Sequence, residues 1–153
     1  MQKGGTGKTT LAASLAVAAA VALALWLTVV GPARAIAATC AGVRVWSLYI
    51  PNGRGLDDPH MVYKLEWLSV LRDRAREWLQ EDPRAQIALV GDWNVAPQDD
   101  DVWDMDFFEG KTHVTEPERA AFRAVVDEGF ADVVRPAHPG PGVYTYWDYQ
   151  QLR

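Results

Sequence analysis

The chain has 153 residues, of which 49% are hydrophobic and 23% charged, with one cysteine and a formal net charge of −5. This length suits one domain with one core, and the composition excludes a wholly disordered chain. A single cysteine excludes an internal disulfide framework and favours a reducing compartment, so we expect a cytoplasmic protein. The acidic balance argues against nucleic-acid binding through bulk positive charge, but it is compatible with a local site in which carboxylates hold a metal ion.

The charge is distributed unevenly along the chain. The first acidic residue is Asp57, so residues 1–38 carry a net charge of +3 and residues 39–153 a net charge of −8. We therefore expect two unlike parts: a glycine-rich start with an apolar helix at residues 1–31, and a separate domain at residues 32–153.

The glycine-rich start contains Gly7-Lys8-Thr9, the pattern in which phosphate-binding loops end. In such loops backbone N–H groups face the phosphates, the lysine adds charge and the threonine can bind Mg²⁺. The string from Lys3 to Thr10 resembles the variant loop of the ParA/MinD family of partitioning ATPases. That resemblance implies a P-loop ATPase fragment, and a simple glycine-rich terminus is the alternative.

Residues 11–30 form an apolar run without charge. Twenty helical residues span ~30 Å, about the thickness of the apolar part of a bilayer, so the run predicts membrane association. A secretory signal and a buried alanine-rich helix are the other interpretations. A membrane-anchored fragment without enzymatic activity is accordingly one hypothesis for the whole chain.

Beyond residue 32, strand and helix patterns alternate. Val43–Tyr49 alternates apolar and polar side chains, which predicts a strand. Asp58-Pro59 is a helix-start signal, and apolar residues at helical spacing extend that helix to about Gln80. Ile87–Val90 is a short apolar run that predicts a buried strand.

The last third of the chain continues this alternation. Thr115 and Glu118 form a capping box that opens a helix ending at Gly129. The stretch Arg135–Gly142 is rich in proline and glycine and predicts a loop, and Val143–Tyr146 predicts a further strand. Strands alternating with helices indicate an α/β domain with the sheet inside and helices outside.

The strongest candidate site is Gly91-Asp92-Trp93-Asn94, directly after the second predicted strand. Asp92 would lie at the rim of the sheet, and Asn94 follows two residues later. A carboxylate beside a carboxamide can bind Mg²⁺, orient a water or contact a phosphoryl oxygen. The alternative is a turn in which both side chains satisfy their own backbone.

Two further segments carry candidate binding residues. After the first predicted strand, the Tyr49 hydroxyl, Asn52 and Arg54 could each contact a phosphate, and an ordinary turn is the alternative. Near the end of the chain Tyr146 and Trp147 belong to an aromatic cluster that could stack on a base or sugar, with core packing as the alternative.

Taken together and in order, these segments resemble the exonuclease III branch of the endonuclease/exonuclease/phosphatase superfamily. The matching strings are Val43–Arg54, Lys64–Leu68, Gly91–Pro97, Asp101–Trp103, Thr112–Thr115 and Tyr144–Tyr149. The resemblance implies a partial four-layer α/β sandwich and a Mg²⁺- or Mn²⁺-dependent hydrolase of DNA phosphodiesters. The implied substrate is double-stranded DNA with an abasic site or a 3′ end, and the implied oligomeric state is a monomer.

The resemblance also implies catalytic roles for three residues. Tyr49 matches the tyrosine that contacts the scissile phosphate. Asp92 matches the carboxylate that activates the attacking water near the metal, and Asn94 matches its phosphate- and metal-orienting neighbour.

Substrate binding is implied for four more residues. Asn52, with Arg54 beside it, would bind the DNA backbone, and Tyr146 and Trp147 would form the wall of the pocket for the abasic sugar.

Two parts of the family's catalytic set have no match in this sequence. Residues 1–31 lack the metal-site Glu, and the sequence to Arg153 lacks the terminal Asp-His pair. Since single electrostatic contributors are worth about 10²–10³ in rate, we expect the chain as written to be inactive or weakly active.

Overall fold

The computed structural model describes residues 34–146. The expected P-loop and apolar helix of residues 1–31 lie outside this range, as does Trp147. The described chain forms two compact units, one of residues 34–49 and 84–92 and the other of residues 50–83 and 93–146. Of the helices within residues 34–146, none has the length and apolar character needed to cross a bilayer.

The first unit is a three-stranded sheet in the order β1-β2-β3. Its strands are β1 (Ala35–Cys40), β2 (Val43–Tyr49) and β3 (Gln86–Asp92). β1 runs antiparallel to β2, and β2 runs parallel to β3. Two of the three predicted strands are therefore confirmed, with β2 at its predicted bounds and β3 longer than the predicted Ile87–Val90.

Strand β1 has no counterpart among the predicted elements. Its sequence, AIAATC, lacks the apolar–polar alternation that identifies a strand. It forms because Ala41-Gly42, with φ of 50° and 86°, makes a two-residue turn of the kind that folds a strand back onto its neighbour.

The predicted burial of Ile87–Val90 is wrong. Ile87 and Leu89 are half-buried, and Val90 is 44% exposed. β3 has one strand neighbour among the described residues, whereas β2 lies between two strands and buries Trp46 and Leu48.

Helix α1 (Pro59–Glu81) belongs to the second unit and confirms the predicted long helix. Asp58 is its N-cap, since its carboxylate accepts a hydrogen bond from the His60 N–H at 2.8 Å. That backbone N–H and the His60 ring together hold the pKa of Asp58 below its ordinary value. One face of α1 is buried and consists of Met61, Lys64, Trp67, Leu68, Leu71 and Ala75.

The rest of the second unit surrounds a small apolar cluster. A turn of 3-10 helix (Asp99–Asp101) and the short helix α2 (Met105–Phe108) precede helix α3 (Glu116–Val126). The cluster consists of Ala96, Val102, Phe108 and Val114, with Met105 and Tyr146 packed against it.

Helix α3 confirms the predicted capping box. Thr115 and Glu118 exchange hydrogen bonds at its start, and the helix packs against α1. Of its apolar residues, Val125 is buried, whereas Phe122 and Val126 are half-buried.

The predicted strand at Val143–Tyr146 is wrong. These residues are irregular, because the N–H groups of Thr145 and Tyr146 both donate to the Asp101 backbone oxygen at 3.1 Å instead of to a neighbouring strand. The preceding Arg135–Gly142 stretch is loop and turn, as its proline and glycine content predicts.

Candidate active site

Tyr49 and Asp92 lie side by side at the carboxyl ends of two parallel strands. They are partners in the β2–β3 register, and both side chains are exposed, Tyr49 by 53%. Register partners on neighbouring strands are separated by about 5 Å and project from the same face of the sheet. The pairing of these two predicted site residues therefore follows from the strand register.

Gly91 allows β3 to pass close to β2 just before Asp92. Its φ is +121°, and a Cβ at this position would lie 2.1 Å from the Leu48 carbonyl oxygen. Only glycine avoids both that overlap and the strain of this backbone conformation. The Gly-Asp sequence thus determines how β3 delivers the carboxylate to the strand end.

Arg34 is a site neighbour that sequence analysis missed. The carbon at the centre of its guanidinium lies 5.1 Å from the centroid of the Tyr49 ring, and its carbonyl oxygen accepts a hydrogen bond from the Tyr49 N–H at 2.8 Å. This geometry is a cation–π contact. It places a permanent positive charge beside the tyrosine, where an anion could bind.

Asn94 is held in place at several points within the second unit. It is 6% exposed and has a φ of 50°, in the left-handed region that asparagine tolerates better than most residues. Its Nδ2 donates to the Ile50 carbonyl at 2.8 Å, and its Oδ1 lies 3.5 Å from Nδ2 of Asn52. Its backbone oxygen accepts from Lys64 Nζ at 2.5 Å and lies 2.7 Å from His113 Nδ1.

A buried ion pair supports the Asn94 backbone. Lys64 Nζ donates to Glu118 Oε1, and both side chains are fully buried. Burial raises the pKa of Glu118, but the hydrogen bond and positive charge of Lys64 outweigh it, with help from Thr115 and the His113 N–H. The pKa of Glu118 is therefore below its ordinary value, and its carboxylate is ionised at neutral pH.

Asn52 and Arg54 form an exposed turn. The Arg54 N–H donates to Asn52 Oδ1 at 2.7 Å, and Arg54 has a φ of 60°. This agrees with the alternative interpretation of the segment, an ordinary turn in which a side chain hydrogen-bonds the local backbone. The Asn52 amide nitrogen still faces Asn94, so the turn also brings these two predicted site residues together.

Tyr146 packs between an aromatic residue and a histidine. Its ring is stacked on His113, with centroids 4.5 Å apart, and meets Phe108 edge-on at 5.8 Å. These contacts agree with the core-packing alternative for this residue. A role in a sugar pocket stays a prediction for Tyr146, and also for Trp147, which lies outside the described residues.

The described residues offer oxygen ligands but no closed metal cage. Within residues 34–146, no group of three or more His, Cys, Asp or Glu side chains could hold a metal ion together. Asp92 supplies an exposed carboxylate at the end of β3, a hard oxygen donor of the type that Mg²⁺ and Mn²⁺ prefer. Mg²⁺ commonly binds through one or two carboxylates, waters and substrate phosphates, and this donor type suits that mode.

Comparison with known proteins identifies nuclease relatives. The chain is 31% identical over 119 residues to an exodeoxyribonuclease of Bacillus subtilis (strain 168), a match covering 76% of this chain and 45% of the relative. No protein-family model matches the chain.

Solved structures give the same result. A 3′-5′ exonuclease (NExo) from Neisseria meningitidis is 38% identical with a TM-score of 0.70, over 78% of this chain and 46% of that one. An AP endonuclease from Archaeoglobus fulgidus is 36% identical with a TM-score of 0.65, over 76% of this chain and 45% of that one. The chain spans about half the length of the relatives that it matches. Its described part therefore has the α/β fold of the exonuclease III and AP endonuclease branch of the endonuclease/exonuclease/phosphatase superfamily.

Proposed function

We propose that this chain is a divalent-metal-dependent hydrolase of DNA phosphodiesters, acting at abasic sites or 3′ ends. The observation that carries the proposal is the pairing of Tyr49 with Asp92 at the carboxyl ends of β2 and β3. An exposed carboxylate beside an exposed phenol is a suitable pair for hydrolysing a phosphodiester, because one can accept a proton while the other donates a hydrogen bond. The names of the three relatives, an exodeoxyribonuclease, a 3′-5′ exonuclease and an AP endonuclease, support DNA as the substrate.

The two catalytic residues have complementary roles in this proposal. The Asp92 carboxylate accepts a proton from the water that attacks phosphorus. The Tyr49 hydroxyl donates a hydrogen bond to a non-bridging oxygen of the scissile phosphate, where negative charge accumulates in the transition state.

Binding roles fall to residues of the second unit. Asn94 would donate the second N–H of its Nδ2 to a phosphate oxygen, while Asn52 and Arg54 would contact the DNA backbone as neutral and charged donors. Tyr146 and Trp147 would form the wall that receives an abasic sugar.

The proposed metal is Mg²⁺ or Mn²⁺. Asp92 and Asn94 would hold it through oxygen ligands, together with water and the substrate phosphate. When bound, such an ion neutralises charge on the phosphate and stabilises the leaving oxygen.

The proposal is tested with a labelled duplex that carries one abasic analogue. We expect Mg²⁺-dependent nicking that EDTA abolishes, that Asp92→Asn lowers at least about 10²-fold and that Tyr49→Phe lowers about tenfold. Glu81→Gln, which removes an exposed carboxylate at the end of α1, is the control and should leave the rate unchanged.

Two results would contradict the proposal. One is nicking that persists unchanged in Asp92→Asn; the other is neither binding nor nicking of the duplex at micromolar protein. Running the Bacillus subtilis exodeoxyribonuclease in parallel also tests the predicted weak activity, which requires a much slower rate for this chain. The ATPase and membrane-anchor hypotheses, the monomeric state and the cytoplasmic location stay predictions.

A further inference from the structure

The backbone oxygen of Asn94 is the meeting point of a buried polar network. Lys64 Nζ donates to it at 2.5 Å, and His113 Nδ1 lies 2.7 Å from it. Because a carbonyl oxygen can only accept, Nδ1 of His113 carries the hydrogen in this contact. Both donors are themselves held by Glu118, whose Oε1 accepts from Lys64 Nζ and from the His113 N–H, the latter at 2.9 Å.

The network brings together segments that are far apart in sequence. Lys64 lies on α1, Asn94 follows β3, His113 precedes α3 and Glu118 lies in the first turn of α3. Thr112 adds a further hydrogen bond from Oγ1 to Glu118 Oε1 at 2.8 Å. Asn94 is therefore connected to both long helices of the second unit.

Stability alone gives little reason for such a network. Burying a lysine and a glutamate costs desolvation energy that their mutual attraction offsets only when the geometry is good, and apolar residues of similar volume often stabilise as well. What a charged pair adds is a fixed direction for each donor. Here Lys64 and His113 both contact one atom, the carbonyl oxygen of Asn94, whose backbone is left-handed.

Fixing this carbonyl also fixes the Asn94 side chain. The carboxamide is also held directly, because its Nδ2 donates to the Ile50 oxygen at 2.8 Å and its Oδ1 accepts from Asn52 Nδ2 at 3.5 Å. With the backbone oxygen and Nδ2 both held, Oδ1 lies on the side of Asn52.

We propose that Lys64, Glu118 and His113 are positioning residues that set the orientation of the Asn94 carboxamide for its contact with the substrate phosphate. This inference rests on the proposed nuclease function. Positioning groups of this kind typically contribute 10–100-fold to activity. Their loss should act on kcat more than on KM, since Asn94 would then meet the phosphate in a wrong orientation during the reaction.

The main test removes the ion pair as a whole, so that no lone charge is left buried. For Lys64→Met/Glu118→Gln we expect kcat on the abasic duplex to fall about 10–100-fold, with KM within about threefold of wild type. The matched control is Arg76→Met/Glu128→Gln, which removes a more exposed ion pair between α1 and Glu128, two residues beyond the end of α3. The Arg76 side chain is 44% exposed. It should leave kcat unchanged.

A second pair of variants works even if the double variant does not fold. His113 has a φ of 84°, so its replacements must tolerate left-handed backbone. His113→Gly removes the side-chain donor, and His113→Asn keeps an N–H close to the place of Nδ1. We expect kcat to fall about tenfold in His113→Gly and to recover in His113→Asn. If His113 had a purely structural role, the folded forms of the two variants would have the same kcat.

An NMR measurement separates this inference from the proposed function. The side-chain NH₂ resonances of Asn94 should shift in Lys64→Met/Glu118→Gln and His113→Gly, and stay in place in the control. If the wild-type chain neither binds nor nicks the abasic duplex, the proposed function fails while these resonances still report whether the network orients Asn94. Unshifted resonances, or wild-type kcat in folded variants of both kinds, would overturn the inference.

Discussion

At the scale of single residues, Arg34 adds a positive charge directly beside Tyr49 that the sequence patterns did not predict. Arginine keeps its positive charge at every accessible pH and can form two hydrogen bonds to one phosphate. Its guanidinium lies 5.1 Å from the Tyr49 ring centroid, beside the hydroxyl-bearing side chain proposed to contact the scissile phosphate. An anion at Tyr49 would therefore meet Arg34 as well.

We accordingly predict that Arg34→Gln weakens substrate binding. KM for the abasic duplex should rise about tenfold, and the salt dependence of binding should decrease by about one phosphate contact. Arg44→Gln removes an exposed charge from strand β2 of the same sheet and serves as the control. Equal KM values for the two variants would show that Arg34 acts only as part of the general charge of the sheet.

At the scale of elements, the approach of β3 to β2 depends on Gly91. Gly91→Ala would place a methyl group 2.1 Å from the Leu48 oxygen at a φ of +121°, so the end of β3 must move away. We predict a loss of about 3 kcal/mol or more in unfolding free energy, measured by urea denaturation. Gly42→Ala is the comparison, because Gly42 has a φ of +86° but nothing lies within 4 Å of an added Cβ. We expect this variant to lose about 1–2 kcal/mol of unfolding free energy. Similar losses in both variants would mean that the overlap at Leu48 is relieved without cost.

The same scale shows which elements sequence patterns can identify. β2, α1 and α3 carry local signals, namely alternation, a capped start and a capping box, and all three form where those signals predict. β1 lacks an apolar–polar alternation and forms by pairing with β2 across the Ala41-Gly42 turn. Val143–Tyr146 has a strand-like composition, but hydrogen bonds to Asp101 take up its backbone N–H groups at Thr145 and Tyr146.

The candidate site likewise has one part that strand patterns predict and another that depends on tertiary packing. Placing Tyr49 and Asp92 at neighbouring strand ends required only two correctly predicted strands and a parallel register. The contacts of Asn94 could not be foreseen, because Lys64 and Glu118 are 54 positions apart and each has an ordinary local interpretation. On α1 the lysine resembles a solvated residue, and at the start of α3 the glutamate resembles a cap. Only the packing of the two helices makes them partners.

At the scale of the whole molecule, that partnership links stability to pH. Lys64 and the His113 N–H, with Thr112 and Thr115, favour the charged form of Glu118, so its pKa in the folded protein lies below the ordinary value of about 4.3. The unfolded chain then binds a proton at Glu118 at a higher pH than the folded protein does. The stabilisation is complete above that ordinary value and is lost as the pH falls through the folded-state pKa.

We predict that the effect of Glu118→Gln on stability diminishes in acid. At pH 7 the variant should lose about 3–5 kcal/mol of unfolding free energy, because it leaves the Lys64 charge buried without its partner. In urea denaturation between pH 7 and pH 3, the difference from wild type should narrow below about pH 4.3, where wild type itself begins to lose the ion pair. Glu81→Gln, at an exposed position of α1, should stay within about 0.5 kcal/mol of wild type throughout. A difference for Glu118→Gln that stays constant or widens toward pH 3 would show that the carboxylate of Glu118 is not what holds Lys64 in the folded protein.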